Sequence, residues 1–331
     1  MEKEGFTDSF EGNAQSFRIV TFLSARRSNG LGLDLTRATM NAVIKYPTLR
    51  GEDTSIEKWN AYEEDKEAYE YARELSGGDP RKSVEAELMD WSDDVSYATH
   101  DLEDFYRAGV IPLDQLFNDV GRDELIQSLR DKWLKRKGQK KKWAKSSDFS
   151  DRVARVFEEA AGLFPALRRP FEARREQDEQ LHRLTSHFLG RFLNAYAGRR
   201  PILLNPDAAD DSKQKWVRKL PEAEFEVTLL KSVTAHYVFE NPVLVAQQDG
   251  QKRIVKVLFK AFYKAFQGER AHLVPTSFAH LREWCAGDDA ERRCARAAAD
   301  VVSSLTEDQA HRLFLRLRGI NPGSLHDPIM R

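Results

Sequence analysis

Four side chains in segment 85–113 have types and spacing that could do chemistry. Asp93, Tyr97, Asp101 and Asp104 are separated from the first of them by four, eight and eleven residues. On an α-helix these positions share one face, so three carboxylates and one phenol point the same way. Apolar residues in the segment would pack this helix inside a domain; they are Ala86, Met89, Val95, Leu102 and Phe105.

Carboxylates on a partly buried face need a partner, because an unpaired buried charge is costly. A metal ion or a bound polar ligand would supply one. A solvated acidic face beside Lys and Arg neighbours is the simpler alternative, since exposed carboxylates are common. The residues alone leave both readings open.

The adjacent pair His100-Asp101 resembles a metal-binding dyad, but the geometry of a helix limits it. Neighbouring residues lie about 100° apart around a helix, so both reach one ion only with ligands from elsewhere. The other seven of the eight histidines follow residue 147, without the close ligand spacing of a zinc site. A self-contained histidine metal site is therefore not predicted, and neither a phosphate-binding glycine loop nor a GxSxG elbow is present.

Composition excludes several other classes of protein. The 331 residues carry 52 basic and 53 acidic side chains, so overall charge gives no case for a nucleic-acid or membrane partner. No apolar run has the length of a membrane span, and the N-terminus lacks the apolar core of a signal peptide. With only two cysteines, Cys285 and Cys294, no disulfide framework is expected. We expect a cytoplasmic, reduced protein.

The periodicity of apolar residues predicts a nearly all-α fold. One pair of short segments, 201–205 and 216–220, has the pattern of a small β-hairpin. Helices are predicted at 13–27, 35–46, 63–75, 83–107, 113–135, 151–163, 171–199, 222–239, 251–267, 274–285, 290–304 and 306–318.

A basic, glycine-interrupted run at 135–147 is interpreted as a linker or loop between two lobes. The alternative is a nucleic-acid contact in which Lys and Arg bind phosphates and Trp143 stacks on a base. Two residues elsewhere have positions that favour anions or caps. Asn13 lies at the start of the first helix, where capping is the simpler role, and Lys45 ends the second helix beside Pro47.

Several blocks together resemble the bacterial dGTPase-like deoxynucleoside triphosphate triphosphohydrolases, a family of the HD-domain phosphohydrolase superfamily. The block EAELMDWSDDVSYATHDLEDFYRAGVIPL is the most specific of them. The similarity runs in consistent order from about Phe10 to Gly319, through segments 10–23, 32–47, 85–113, 181–192, 229–244, 250–262 and 297–319.

This resemblance implies the C-terminal portion of an HD-domain-like helical bundle, followed by a helical phosphohydrolase-associated region with at most a small β-hairpin. The implied division is a partial HD-type domain at 1–134, the basic linker at 135–147 and the associated region at 148–331. The implied reaction is hydrolysis of a dNTP to the deoxynucleoside and triphosphate with a divalent metal such as Mg or Mn.

The resemblance also assigns site residues. Asp93 corresponds to the last metal ligand, while Tyr97 and Asp101 face the sugar. Asn13 and Lys45 correspond to positions that approach the nucleotide and its phosphates, where a lysine offsets phosphate charge. An arginine of the second lobe, Arg175 or Arg183, is expected to complete the phosphate site.

One departure from the family pattern matters as much as the match. The family's first His, its His-Asp pair and its catalytic His and Glu precede the FEGNAQ block, but only nine residues precede Phe10 here and none is histidine. One aspartate does not hold a catalytic metal, so we expect this chain to be inactive alone. It is interpreted as a fragment, as half of a split enzyme completed by an HD-bearing partner, or as a non-catalytic nucleotide-binding or scaffold subunit. Homo-oligomers are expected from the family.

Overall fold

The computed structural model describes residues 9–24, 26, 32–50, 58–193, 200–211, 213–239 and 241–320. Within them the chain is almost entirely helical, as predicted, with a single two-stranded sheet. No helix in this part of the chain combines the length and apolarity needed to cross a membrane. The helices are α1 (Gly12–Arg18), α2 (Arg37–Ala42), α3 (Lys66–Arg73), α4 (Val84–Arg107), α5 (Leu113–Phe117), α6 (Arg122–Leu134), α7 (Gln139–Lys145), α8 (Phe149–Leu163), α9 (Arg175–Leu193), α10 (Pro221–Val238), α11 (Pro242–Phe266), α12 (Leu281–Trp284), α13 (Ala290–Ser303) and α14 (Glu307–Leu317).

The chain divides into two compact units, each with its own core. Unit 1 comprises 1–86 and 246–331, and unit 2 comprises 87–245. The boundaries fall inside α4 and α11, so they do not coincide with the basic run at 135–147. These compact units do not test the predicted division into a partial HD-type domain and an associated region, because that division was based on resemblance to a family. It stays a prediction.

The core of unit 2 forms where α4 to α10 bury their apolar faces. Helix α4 ends at Arg107, and two residues later the chain turns into the left-handed region at a glycine. Gly109 has a φ of 68°, which a residue without a Cβ adopts at little cost. The amide of Val110 then donates to the carbonyl of Phe105 at 2.9 Å, which closes the helix end.

The basic run differs from the predicted loop. Helix α7 occupies most of it, and Trp143 and Ala144 are buried in the core of unit 2. The ring of Trp143 makes an edge contact with Phe225 at a centroid distance of 5.4 Å. Because this ring is enclosed by protein, it is not available to stack on a base, and the nucleic-acid role suggested for Trp143 is wrong.

The predicted hairpin is confirmed in unit 2. Strand β1 (Ile202–Leu204) pairs antiparallel with β2 (Val217–Lys219), with Leu203 opposite Arg218. Beside the pair, the amide of Val217 donates to the buried carboxylate of Glu87 at 2.9 Å. A side chain of α4 thus fixes the position of this short sheet.

Unit 1 has two apolar clusters, one around Phe17 and Ile44 and one around α11, α13 and α14. Helix α1 does not continue as a regular α-helix to residue 27 as predicted, because residues Ile19–Leu23 form a π-helical turn. Carbonyls of this turn accept from the chain that returns along it, with the amide of Leu33 lying 2.8 Å from the carbonyl oxygen of Val20. Glycine is required at position 32, because its φ is +65° and a Cβ there would lie 2.4 Å from the carbonyl carbon of Thr21.

Candidate functional site

Helix α4 positions the predicted site residues by burying its opposite face. Trp91, Val95, Ala98 and Leu102 are at most 2% exposed and belong to the core of unit 2. The indole nitrogen of Trp91 donates to the carbonyl of Phe192 at 2.9 Å. Because this face anchors the helix, the side chains on its other face have defined positions.

That other face carries the acidic residues and the phenol, as the spacing predicts. Asp93 and Asp101 are half-buried, whereas Tyr97, between them, is 56% exposed and presents its ring to solvent. Burial raises the pKa of Asp101, and the nearby charge of Asp104 raises it further. The three residues assigned to the metal and the sugar therefore lie on the same face of α4, with Tyr97 the most exposed of them.

His100 lies on α4 with an exposed side chain, and nothing in the geometry makes it a metal ligand. Among the residues that the structure describes, no group of three or more His, Cys, Asp or Glu side chains is arranged to hold a metal ion. Asp93 thus offers one carboxylate, and the described residues do not form a complete metal site.

Asn13 and Lys45 belong to unit 1. Glu11, rather than Asn13, caps helix α1, since its carboxylate accepts from the amides of Asn13 at 2.6 Å and Ala14 at 3.0 Å. The capping role considered for Asn13 is therefore wrong, and its side-chain amide donates to Glu11 at 2.7 Å. Lys45 follows α2, and its backbone amide donates to the buried Asn60 at 2.8 Å.

Arg175 and Arg183 lie on α9 of unit 2, and both side chains are exposed. Arg175 is the first residue of the helix, and Arg183 lies two turns further on. Their assignment to phosphate contacts stays a prediction.

Unit 1 contains a buried charged cluster that local sequence patterns did not predict. Arg18 contacts Asp300 through Nε at 3.0 Å and Asp65 through a terminal nitrogen at 2.8 Å. The side-chain amide of Gln15 donates to Asp300 at 2.9 Å. All four side chains are at most 5% exposed, so this cluster ties α1 to α13 and to the turn before α3.

A second buried arginine extends this cluster toward the start of α1. Arg296 stacks on Tyr62, with its guanidinium carbon 3.3 Å from the ring centroid, and donates to the carbonyl of Ser9 at 3.0 Å. The phenol of Tyr62 donates to the carbonyl of Glu11 at 3.0 Å. The residue that caps α1 and holds Asn13 is thus itself fixed by buried groups.

Comparison with known proteins decides the family. The chain is 33% identical to a deoxyguanosinetriphosphate triphosphohydrolase-like protein of Corynebacterium efficiens, with 94% of this chain and 70% of the relative covered. The chain belongs to this family. Similar proteins of the same description from Corynebacterium glutamicum and Streptomyces coelicolor are 30% and 28% identical, with 68% and 70% of their lengths covered.

The model of the phosphohydrolase-associated domain matches residues 217–316 of this family member. The match lies within the region 148–331 for which such a domain was predicted. It begins with strand β2 and ends in helix α14, so it includes residues of both compact units.

Proposed function

We propose that this chain takes part in the hydrolysis of a deoxynucleoside triphosphate of the dGTP type to the deoxynucleoside and triphosphate. The observation that carries the proposal is the shared face of α4, on which Asp93, Tyr97 and Asp101 lie within eight residues of each other. Membership of the triphosphohydrolase-like family supports the reaction class.

In this proposal Tyr97 and Asp101 bind the sugar. The exposed ring of Tyr97 packs beneath the deoxyribose, where a 2′-hydroxyl group would clash with it. The carboxylate of Asp101 accepts a hydrogen bond from the 3′-hydroxyl, one turn along the helix. The partly buried position of this carboxylate strengthens such a bond, because water competes less there.

The phosphates require cations, since carboxylates alone would repel them. We assign Lys45 to the phosphate chain, and Asn13 to the nucleotide beside it. The exposed Arg175 and Arg183 are available for additional phosphate contacts, with a guanidinium suited to two parallel hydrogen bonds.

Asp93 is assigned to a divalent metal, but one carboxylate does not hold a catalytic ion. No step is therefore derived through the metal for this chain. We propose that the remaining ligands and the general acid and base come from an H…HD-bearing segment outside these 331 residues.

The test combines binding and turnover. The chain should bind dGTP in equilibrium dialysis, and it should release triphosphate in the presence of Mg²⁺ or Mn²⁺ only when joined or mixed with an H…HD-bearing segment. Asp93→Asn should abolish the restored turnover and leave dGTP binding by the chain within about twofold, because a ligand to the metal contributes little without it.

Glu85→Gln is the matched control, because Glu85 is an exposed carboxylate near the start of the same helix. Its turnover should equal that of the natural sequence. Triphosphate release by the 331 residues alone would refute the missing-ligand argument, and a chain that binds no dGTP would refute the proposed function.

A further inference from the structure

Basic side chains from three separate segments of unit 2 gather beside one carboxylate of α4. The ammonium of Lys231, on α10, lies 2.5 Å from Asp94 Oδ1. Lys140, on α7, and Lys219, on β2, both lie close enough to interact electrostatically with Asp94. One carboxylate thus contacts Lys231 and attracts two further lysines.

Two of these lysines are held against buried tryptophan rings. The ammonium of Lys219 lies 4.6 Å from the ring centroid of Trp91, and that of Lys140 lies 5.6 Å from the ring centroid of Trp133. Both tryptophans are at most 2% exposed. A lysine whose ammonium is held over a fixed aromatic ring loses less freedom when it binds a ligand.

Neighbouring cations repel one another at this point. Burial lowers the pKa of Lys140, and repulsion from Arg136 and Lys231 lowers it further, against the attraction of Asp94. Burial likewise lowers the pKa of Lys219, against the attraction of Asp94, Asp90 and Glu224. Because neighbouring cations repel each other here, an anion that enters between them gains free energy from each.

The cluster lies on the side of α4 that carries the sugar-binding residues of the proposed function. Asp94 and Asp101 are seven residues apart, about two helical turns, and therefore lie almost directly above one another. The charge of Lys231 acts on Asp101 as well, where it opposes the rise in that carboxyl's pKa. Tyr97 lies between these two positions in the helix.

We propose that Lys231, Lys140 and Lys219 form a binding site for the polyphosphate group of a nucleotide, with Asp94 holding Lys231 in place until a phosphate takes over that contact. The inference rests on the proposed function, because it joins these lysines to the Tyr97 and Asp101 face. It adds phosphate-binding residues from α7, α10 and β2 to those assigned from the family.

The surroundings favour a compact anion over an extended nucleic acid. Asp90, Asp93, Asp101 and Asp104 occupy α4 on either side of Asp94 along the helix. An extended phosphodiester backbone would pass over some of these carboxylates and be repelled, whereas a triphosphate is short enough to stay among the lysines.

The test measures binding of inorganic tripolyphosphate to the 331-residue chain by titration calorimetry at low salt. Lys231→Gln and Lys140→Gln should each weaken binding about tenfold, the effect of losing one charge-assisted contact. Lys141→Gln is the matched control, since Lys141 is exposed on the same helix as Lys140 and its replacement removes the same charge. It should change binding less than about twofold.

Asp94→Asn is the decisive variant, because the two interpretations expect opposite changes in the affinity for tripolyphosphate. The proposal expects tighter tripolyphosphate binding, because the competing carboxylate is gone, whereas a purely structural ion pair expects weaker binding or none. Lys231→Arg, which keeps the charge, should retain binding and shows that the effects of Lys231→Gln do not arise from misfolding.

Other outcomes overturn the inference. Equal losses for Lys140→Gln and Lys141→Gln, together with tighter binding of a single-stranded oligonucleotide than of tripolyphosphate, would establish a nucleic-acid surface instead. If the completed enzyme hydrolyses dGTP and Lys231→Gln changes neither its KM nor tripolyphosphate binding, the inference fails while the proposed function stands. If tripolyphosphate binds as expected but dGTP is not hydrolysed, the proposed reaction fails and the anion site stands.

Discussion

The Nε atom of Arg18 lies 3.0 Å from both carboxylate oxygens of Asp300, and both side chains are almost completely buried. The same guanidinium also contacts Asp65, so one cation serves two buried carboxylates. A buried charge that loses its partner keeps its desolvation cost without compensation. Arg18 should therefore dominate the electrostatic contribution to the stability of unit 1.

Arg18→Gln should lower the free energy of unfolding by about 3–5 kcal/mol, because it removes the cation that contacts both buried carboxylates. Urea denaturation followed by circular dichroism measures this change. Arg312→Gln is the control, since Arg312 pairs with Asp308 on the same unit with both side chains more than 60% exposed. Its cost should stay below about 1 kcal/mol, and equal costs for the two variants would contradict the role of burial.

The titration of Asp65 should make the free energy of unfolding fall as the pH rises. Burial raises the pKa of Asp65 to about 6, and the attraction of Arg18 only partly opposes this rise. Because the ordinary pKa of an aspartate in an unfolded chain is 3.8, the folded state binds the proton more tightly between pH 4 and 6. The contribution is therefore fully present below about pH 4 and is lost as the pH rises through about 6, by at most about 3 kcal/mol.

Asp65→Asn removes this titration, so its free energy of unfolding should vary less between pH 4 and 6.5 than that of the natural sequence. The comparison uses the slope with pH rather than the absolute stability, because the substitution also takes a partner from Arg18. Since burial raises the pKa of Asp300 as well, some slope should remain. Identical slopes for the two proteins would show that Asp65 does not titrate in this range.

The two thiols should be inert in the folded protein. Cys285 and Cys294 are free and buried, and the thiol of Cys294 donates to the carbonyl of Cys285 at 3.8 Å. Burial raises the pKa of Cys285 to about 12, with a further contribution from Cys294. Because the thiolate is the reactive form, reaction with an aromatic disulfide reagent at pH 8 should be at least about 100-fold slower in the native protein than in denaturant. Rapid labelling of native protein would contradict this burial.

Trp143 shows where prediction from local sequence failed. Four lysines and Gly138 surround this tryptophan, a composition typical of a solvated connector. A helix of seven residues is marginal by itself, so α7 depends on burying Trp143 against Phe225 and Trp133. Phe225 is distant in sequence, and no local pattern indicates that Trp143 packs against it or against the nearer Trp133.

Trp143→Ala should accordingly cost about 3–5 kcal/mol of unfolding free energy, the usual range for a buried tryptophan. Lys142→Ala, the exposed neighbour on the same helix, should change stability by less than about 0.5 kcal/mol. Denaturation monitored by circular dichroism tests both variants. A small effect of Trp143→Ala would restore the interpretation of this run as a connector.

Local patterns predicted α4 and the hairpin correctly because each depends on residues close in sequence. The cluster around Arg18 could not be predicted in this way, since Asp65 and Asp300 lie 47 and 282 residues away. A signal was nevertheless present. Arg18 is the single charge in the stretch Phe17–Leu23, which is otherwise apolar except for Thr21, and Asp300 is the single charge in the apolar stretch Ala297–Val302. Such isolated charges are buried only with partners.

Tyr97 is the residue through which the proposed function should distinguish deoxyribose from ribose. Its ring is 56% exposed on α4, one turn from both Asp93 and Asp101. Tyr97→Ala should allow GTP to bind within about twofold of dGTP, while Tyr97→Phe should keep the preference for dGTP, because the ring rather than the hydroxyl excludes the 2′-oxygen. Equilibrium dialysis of the 331-residue chain with each nucleotide gives the two affinities. Equal weakening of dGTP and GTP by Tyr97→Ala would assign the ring to general nucleotide binding, and loss of the preference in Tyr97→Phe would transfer discrimination to the hydroxyl.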